Sequence, residues 1–355
     1  MSVQAQPFTF GKAVNATIPS PLLVTGAPGW LCDVLLTRVG KQSPLTEIRC
    51  LVQKSLNAER LASWRKAHPE VGATHAGDLA DAESLKAACE KLAGGAVLHA
   101  AAIIHPRRTR DWYTINRDGT IALAQAAKAA GAKRFLYVSS NAAQGASDSP
   151  AKLLTEDMPC NPLSHYGRSK FQAEQALLKM HEPGKFEISI VRPCMFYGPP
   201  VPERHVDIFK RIQRGRLPLV GSGNYARSLS YIDDLVAGTI LALWHPQAAG
   251  EIFNLCDARA YTTKEVCEAM ASALGVSPKF LRLPAFSASV AYQIDCAIAA
   301  CGLYSMSFHL LGEANWNVGC SSQKARERLG WQPQVDLFEG YKRAVAWCRE
   351  RKLIN

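Results

Sequence analysis

Short apolar runs alternate with stretches whose apolar positions recur at helical spacing. Leu22, Leu23 and Val24 form the first run, and residues 31–39 the first helix-spaced stretch. Strands are predicted over 48–52, 96–98, 135–138 and 188–191, and helices over 58–68, 82–92, 116–130 and 166–180. Gly131 is placed to end the alanine-rich 116–130 helix. This β and α alternation predicts an α/β fold, a doubly wound parallel sheet with helices on both faces. Beyond Pro199 the alternation loosens, with Pro and Gly dense over 197–202 and 217–223. The predicted division is an N-terminal extension over 1–20, a sheet domain over 21–198, and a smaller C-terminal lobe mainly over 199–355. A return strand to the sheet is expected near 251–255. No internal repeat or low-complexity tract interrupts this order.

The length, 355 residues, suits one large α/β unit plus a smaller one. A content of 48% hydrophobic and 20% charged residues excludes a disordered chain. The net charge of +11 admits nucleic acid, an anionic membrane, an anionic small molecule or a merely solvated basic surface. The densest basic run, Arg107-Arg108-Thr109-Arg110, is short, and no basic stripe interleaves with aromatics, so no nucleic-acid partner is expected. The 11 cysteines have no close paired spacing, which points to a reducing, cytoplasmic setting. Residues 1–20 lack a secretory pattern. The stretch 285–303 is the most apolar late segment, but Gln293 and Asp295 interrupt it. It falls short of a transmembrane span and reads as a buried or surface-resting helix, able at most to associate weakly with a membrane.

Two motifs carry chemistry. Thr25-Gly26-Ala27-Pro28-Gly29-Trp30-Leu31-Cys32 lies between an apolar strand and a helix. Glycine there allows a sharp turn and close approach of a pyrophosphate, and the helix start offers free N–H groups. The alternative is a simple tight turn. In Tyr166-Gly167-Arg168-Ser169-Lys170 the phenol and the ammonium stand at i and i+4 on one helix face. An ammonium beside a phenol favours phenolate, so Tyr166 is expected to ionise more readily and to exchange a proton with a carbinol or carbonyl oxygen. Taken alone, this spacing also fits an exposed helix pair. The strand at 135–138 runs into Ser139 and Ser140.

Together these segments resemble the extended short-chain dehydrogenase/reductases, including their epimerase/dehydratase, nucleotide-sugar ketoreductase and 3β-hydroxysteroid dehydrogenase-like branches. The first loop resembles that family's TGxxGxxG, with Cys32 in place of the third glycine. Ser140-Asn141-Ala142-Ala143-Gln144-Gly145 resembles its Ser-x-x-x-x-Gly, which selects Ser140 over Ser139. The segment from Arg192-Pro193 to Tyr197-Gly198-Pro199 resembles its RPxxxYGP. Weaker similarity extends to Ser322-Gln323-Lys324-Ala325 and Leu329-Gly330-Trp331-Gln332-Pro333.

The resemblance implies a Rossmann-type fold and a nicotinamide cofactor held by Gly26, Gly29, Trp30, Leu31, Gln53, Lys54, Asp78, Leu79, Ala100, Ala101, Tyr166, Lys170 and Pro193. It implies catalysis by Ser140, Tyr166, Lys170 and Asn116: Ser140 polarises the substrate oxygen, Lys170 lowers the Tyr166 pKa, and Asn116 supports Lys170 through water. An N-cap role for Asn116 is equally compatible with its place at a helix start. No acidic residue follows the second strand, so Lys54 or Ser55 is expected to favour NADP(H) over NAD(H). No metal is called for.

For the substrate, Arg227 resembles the arginine with which nucleotide-sugar enzymes reach a phosphate, with pairing to Asp233 or Asp234 as the alternative. Met195 and Ser140 complete the expected substrate contacts. The segment from Arg192 to Gly198 lacks the diphosphate-binding Asn of sugar-nucleotide epimerases, and Asn141-Ala142 replaces the dehydratases' Asp-Glu. The primary expectation is a nucleotide-sugar reductase or epimerase. The second is a dehydrogenase or ketoreductase of a hydroxysteroid-like or other apolar alcohol, and the third is a cofactor-bound regulatory or assembly protein. A homodimer through a four-helix interface including 166–180 is also implied by the resemblance.

Overall fold

The computed structural model describes residues 19–42, 46–215 and 217–355. The expected extension over 1–20 therefore falls almost wholly outside the described residues. The sheet strands are β1 (Leu22–Ala27), β2 (Ile48–Gln53), β3 (Val71–Gly77), β4 (Ala96–His99), β5 (Arg134–Val138) and β6 (Glu187–Pro193). Helices α1 (Trp30–Gln42), α2 (Ala58–Ala67) and α3 (Ala82–Cys89) connect the first four. Between β4 and β5 a continuous helical run comprises α4 (Thr109–Asp111), a π-helical stretch (Trp112–Gly119) and α5 (Thr120–Ala129). Helix α6 (His165–Lys179) precedes β6.

The C-terminal part adds β7 (Met195–Tyr197), α7 (Glu203–Gln213), β8 (Leu217–Val220), β9 (Ala226–Arg227), β10 (Leu229–Tyr231) and α8 (Ile232–Trp244). It continues with β11 (Ile252–Leu255), β12 (Tyr261–Thr262), α9 (Thr263–Leu274), β13 (Phe280–Leu283), α10 (Phe286–Ala300) and α11 (Met306–Gly312). Helices α12 (Gln323–Leu329) and α13 (Leu337–Glu350) close the chain.

The seven-stranded sheet has the order β11-β6-β5-β4-β1-β2-β3, with every pairing parallel. Strands outward from β1 and β4 run in opposite senses of chain order, so the crevice between those two strands is the topological switch point where doubly wound folds bind ligands. The strands are apolar on both faces: Leu22 and Val24 face one core with Leu35 and Ile240, while Leu23 faces another with Leu123 and Leu177. A third core, including Tyr197, Phe209, Tyr231 and Tyr341, fills the smaller lobe. The chain crosses between these regions more than once: α8 packs on the sheet beside Trp331, and β11 extends it.

One helix start differs from expectation. Asn116 does not begin a helix; it lies inside the π-helical stretch, seven residues after Thr109. The N-cap role is thereby excluded. No described helix is long and apolar enough to cross a membrane.

Candidate active site

The larger cleft, about 800 Å³, opens at the C-terminal ends of β1 and β4. It is lined by Gly26, Gly29, Trp30, Leu31, Gln53, Asp78, Leu79, Ala100 and Ala101, nine of the residues that the family resemblance implied for the cofactor. Gly26 sits at φ +99°, and a Cβ there would lie 2.9 Å from the backbone of Ala100 and Ala101; one at Gly29 would lie 2.5 Å from the Gly26 carbonyl oxygen. The loop therefore has no room for side chains, which leaves its peptide groups open to a ligand. The buried Cys32 thiol donates to the Thr25 carbonyl at 3.4 Å, tying α1 to β1 where a glycine would only permit approach. Burial raises its pKa, as expected of a packing residue and not a nucleophile.

Five expected cofactor contacts, Lys54, Ser55, Tyr166, Lys170 and Pro193, are not among the residues lining this cleft. Pro193 ends β6 buried opposite Leu255. Lys54 turns outward to pair with Asp81, whose carboxylate also caps α3. Ser55 is exposed beside it. Two arginines line the cleft, Arg60 on α2 and Arg204 on α7, and the motif-by-motif reading passed over both. Asp78 lines the cleft while its Oδ1 accepts from Ala80 N at 2.9 Å.

Ser140 and Tyr166 stand at the end of β5 and the start of α6. The Ser140 hydroxyl stands near enough to the Tyr166 phenol to favour its ionised form. It also accepts from Ala142 N at 3.2 Å, which orients it. Ser139 is buried behind, its hydroxyl without a partner among the described residues. The sequence suggested a phenol lowered by Lys170; instead burial raises Tyr166 to about 12, with Ser140 pulling it back and Glu313 pushing it up. Lys170 is itself buried, and burial lowers it to about 7 against the opposing pull of Glu174. Its Nζ donates to the Val138 carbonyl at 2.8 Å and lies 4.4 Å from the Tyr137 ring centre. Among the described residues the ammonium is thus engaged by a carbonyl and a ring and makes no hydrogen bond to the phenol.

Asn116 serves the cleft differently from the implied water bridge. Its amide accepts from Ile103 N at 2.8 Å and donates to Ile103 O at 2.9 Å, fastening the loop after β4. Glu174 is a further residue the motifs missed. It forms a two-bond ion pair with Arg192 (2.9 and 2.6 Å), both side chains about 1% exposed, locking α6 to β6. Its signal was available: Tyr166, Lys170 and Glu174 follow one another at i+4 along one face. Removing one partner of such a pair costs roughly 3–5 kcal/mol.

A second cavity of about 290 Å³ is walled by Ala142, Leu163, Met195, Leu310, Trp316 and Val318, with Arg227 and Glu313 among its polar members. Met195 is 53% exposed into it. Arg227 pairs with neither Asp233 nor Asp234: Asp233 holds Arg38, and Asp234 accepts from Gln334 N and Val335 N. The Arg227 guanidinium donates to the Glu313 and Ala314 carbonyls (2.9 Å each) and to Thr263 Oγ1 (3.2 Å). Burial lowers its pKa. Among the described residues no cluster of His, Cys, Asp and Glu could hold a metal ion.

The model of the NAD dependent epimerase/dehydratase family matches residues 22–256. The chain is 36% identical over 348 residues to the uncharacterized protein y4nL of Sinorhizobium fredii, covering 94% of this chain and 96% of that protein. It is 32% identical over 303 residues to ceramide reductase of Caulobacter vibrioides, covering 81% and 82%. Among solved structures, a double mutant of DesIV, a dTDP-glucose 4,6-dehydratase from Streptomyces venezuelae with NAD bound, is 27% identical at a TM-score of 0.71, covering 93% and 97%.

Proposed function

Because the chain belongs to the NAD dependent epimerase/dehydratase family, within the extended short-chain dehydrogenase/reductases, we propose that it transfers hydride between a nicotinamide cofactor and a secondary alcohol or ketone. The observation that carries this reading is the glycine cradle at the sheet's switch point, which no Cβ can occupy, in a chain that also sets the Ser140 hydroxyl near the Tyr166 phenol. The cradle fits a dinucleotide. Its peptide groups and the start of α1 would hold the pyrophosphate, and the buried Trp30 Nε1, unpartnered among the described residues, lines the same cleft.

When bound, the cofactor supplies or accepts the hydride. Tyr166 gives its proton to the substrate oxygen in reduction and takes it back in oxidation. Ser140, oriented by Ala142 N, polarises that oxygen. Lys170, lowered to about 7, changes charge near neutral pH and would favour the phenolate when its ammonium turns from Val138 toward the cofactor ribose. Asn116 acts as a positioning residue through Ile103.

For the substrate, an apolar secondary alcohol or ketone is favoured. The second cavity is walled mainly by aliphatic and aromatic side chains, and Arg227 already holds three protein acceptors. The similarity to ceramide reductase supports the same reading. A nucleotide sugar is the second reading, supported by the likeness to the dTDP-glucose dehydratase. NADP(H) is proposed over NAD(H), now through Arg60, with NAD(H) supported by the family and its solved member. The division into a cofactor domain over 21–198 and a mainly substrate-binding lobe over 199–355, a homodimer through α6 and a cytoplasmic setting belong to the same proposal; the 11 cysteines, all free, support the last.

The test is turnover of reduced nicotinamide with two substrate sets: long-chain amides bearing a secondary ketone, and UDP- and dTDP-4-keto sugars. Consumption with the long-chain ketone is expected. Turnover confined to nucleotide sugars would replace the first reading by the second, and none with any ketone or alcohol would reject hydride transfer.

A further inference from the structure

Residues 283–308 contain a single charged side chain, Asp295. That charge is turned inward: its Oδ2 lies 3.0 Å from His309 Nδ1 on α11, and His309 Nε2 lies 3.2 Å from Glu313. The outer face of α10 is thereby left uncharged. Phe286, Val290 and Ile294, at i, i+4 and i+8, form one exposed stripe, at 68%, 52% and 37% exposure. Leu303, in the turn, and Met306, on α11, are exposed apolar side chains as well. The inner face carries Ala288 and Ala291, fully buried, so the helix is amphipathic between protein and surroundings.

A basic rim borders this surface. Arg108 pairs by a backbone bridge with Leu303, and Thr109 N donates to Gly302 O at 3.1 Å, which sets the run Arg107, Arg108, Arg110 against the α10–α11 turn. Arg168 lines a pocket with Tyr292 and Cys296 of α10, and Arg282 stands four residues before Phe286. All five arginines are exposed, on a chain of net charge +11.

We propose that this face docks in the plane of an anionic phospholipid bilayer, with the Phe286–Val290–Ile294 stripe among the acyl chains and the arginine rim on the headgroups. With 15 residues α10 is roughly 22 Å long. A bilayer core of ~30 Å is beyond it, which leaves an interfacial position. A second copy of this chain is the less suitable occupant, because two such faces would bring their arginine rims together. The inference does not rest on the substrate reading, since docking is measured without turnover.

The experiment is flotation of the full chain with vesicles of phosphatidylcholine alone and of phosphatidylcholine with phosphatidylglycerol in equal parts. Binding to the anionic vesicles, weakened by salt, is expected. The Phe286→Ser/Val290→Ser/Ile294→Ser variant should bind at least about tenfold more weakly. Arg107→Glu/Arg108→Glu should lose roughly fivefold or more per arginine. Both variants should keep the parent's reduced-nicotinamide affinity, which shows that they fold. Equal flotation of parent and folded variants would overturn the proposal. So would failure of the parent to float, including the case where sedimentation shows an oligomer that the serine variant abolishes, which would assign the face to a second copy.

Discussion

The cleft at the end of β1 and the cavity beside Met195 are built in opposite ways. The larger cleft is made by one short stretch of chain turning from β1 into α1, faced by the ends of β2, β3 and β4, and its critical surface is backbone. The smaller cavity is assembled from side chains at 141–145, 163–164, 195, 227–228 and 310–318, brought together only by the finished fold. A site made of backbone is set by where glycines fall, and it keeps its ligand class through much side-chain change. A site made of distant side chains is set by packing, and its specificity is free to drift.

This contrast can be broken at either cavity. The largest effect is expected at Gly29→Ala: with a Cβ 2.5 Å from the Gly26 carbonyl, the loop must open. Affinity for reduced nicotinamide should fall by about a hundredfold or more, consistent with several lost phosphate hydrogen bonds. Titration of nicotinamide fluorescence reads this directly. Met195→Ala should leave that affinity unchanged and alter only KM for the substrate. Similar cofactor losses in the two variants would remove the distinction.

Next in size is Arg227→Met. Two half-buried carbonyls, of Glu313 and Ala314, lose a charged donor, at a cost of about 2 kcal/mol. Urea unfolding should show that loss, and Arg227→Lys should restore only part of it, because a single ammonium lacks the forked donor geometry. If Arg227 instead serves a substrate phosphate, the variant will keep its stability and lose affinity for nucleotide sugars alone.

Lys170 supplies a pH test. Its native pKa of about 7 lies below its ordinary value near 10.5. Between those values the unfolded chain holds a proton that the native lysine has released, so stability should climb as pH rises from about 7 toward 10.5. Below about 7 both states are protonated and this contribution is flat. Lys170→Met should lack the climb; parallel curves for parent and variant would place the ammonium in a wetter setting than the fold indicates.

The smallest effect concerns cofactor choice. Arg60→Glu should shift the NADPH to NADH affinity ratio by roughly tenfold, the size of one charge-assisted contact. Lys54→Glu should shift it little, because Lys54 faces Asp81 and not the cleft. A larger change from Lys54 would return the 2′-phosphate role to it.

The same contrast explains what could be read in advance. The parallel α/β sheet and the glycine loop were legible because they depend on periodicity and on spacings of a few residues. Ser140 and Tyr166 were joined in advance by the family resemblance; the pattern alone placed them only at a strand end and a helix start. Arg60 was hidden: it is one of several exposed arginines until β2 and α2 place it on the cleft. Arg227 was visible as a residue, but its partners lie 86 and 87 positions away, and no local pattern announces a carbonyl acceptor. The raised phenol of Tyr166 was equally unreadable, since i,i+4 spacing says which side chains share a face and nothing about how deeply that face is buried.

The central claim is proton transfer by Tyr166, and Tyr166→Phe tests it most directly. With reduced cofactor bound in advance, the rate of a single hydride transfer to a ketone should fall by about 10²–10⁴ while the cofactor dissociation constant stays within about twofold. A variant that transfers hydride at the parent's rate with normal cofactor affinity would contradict the account.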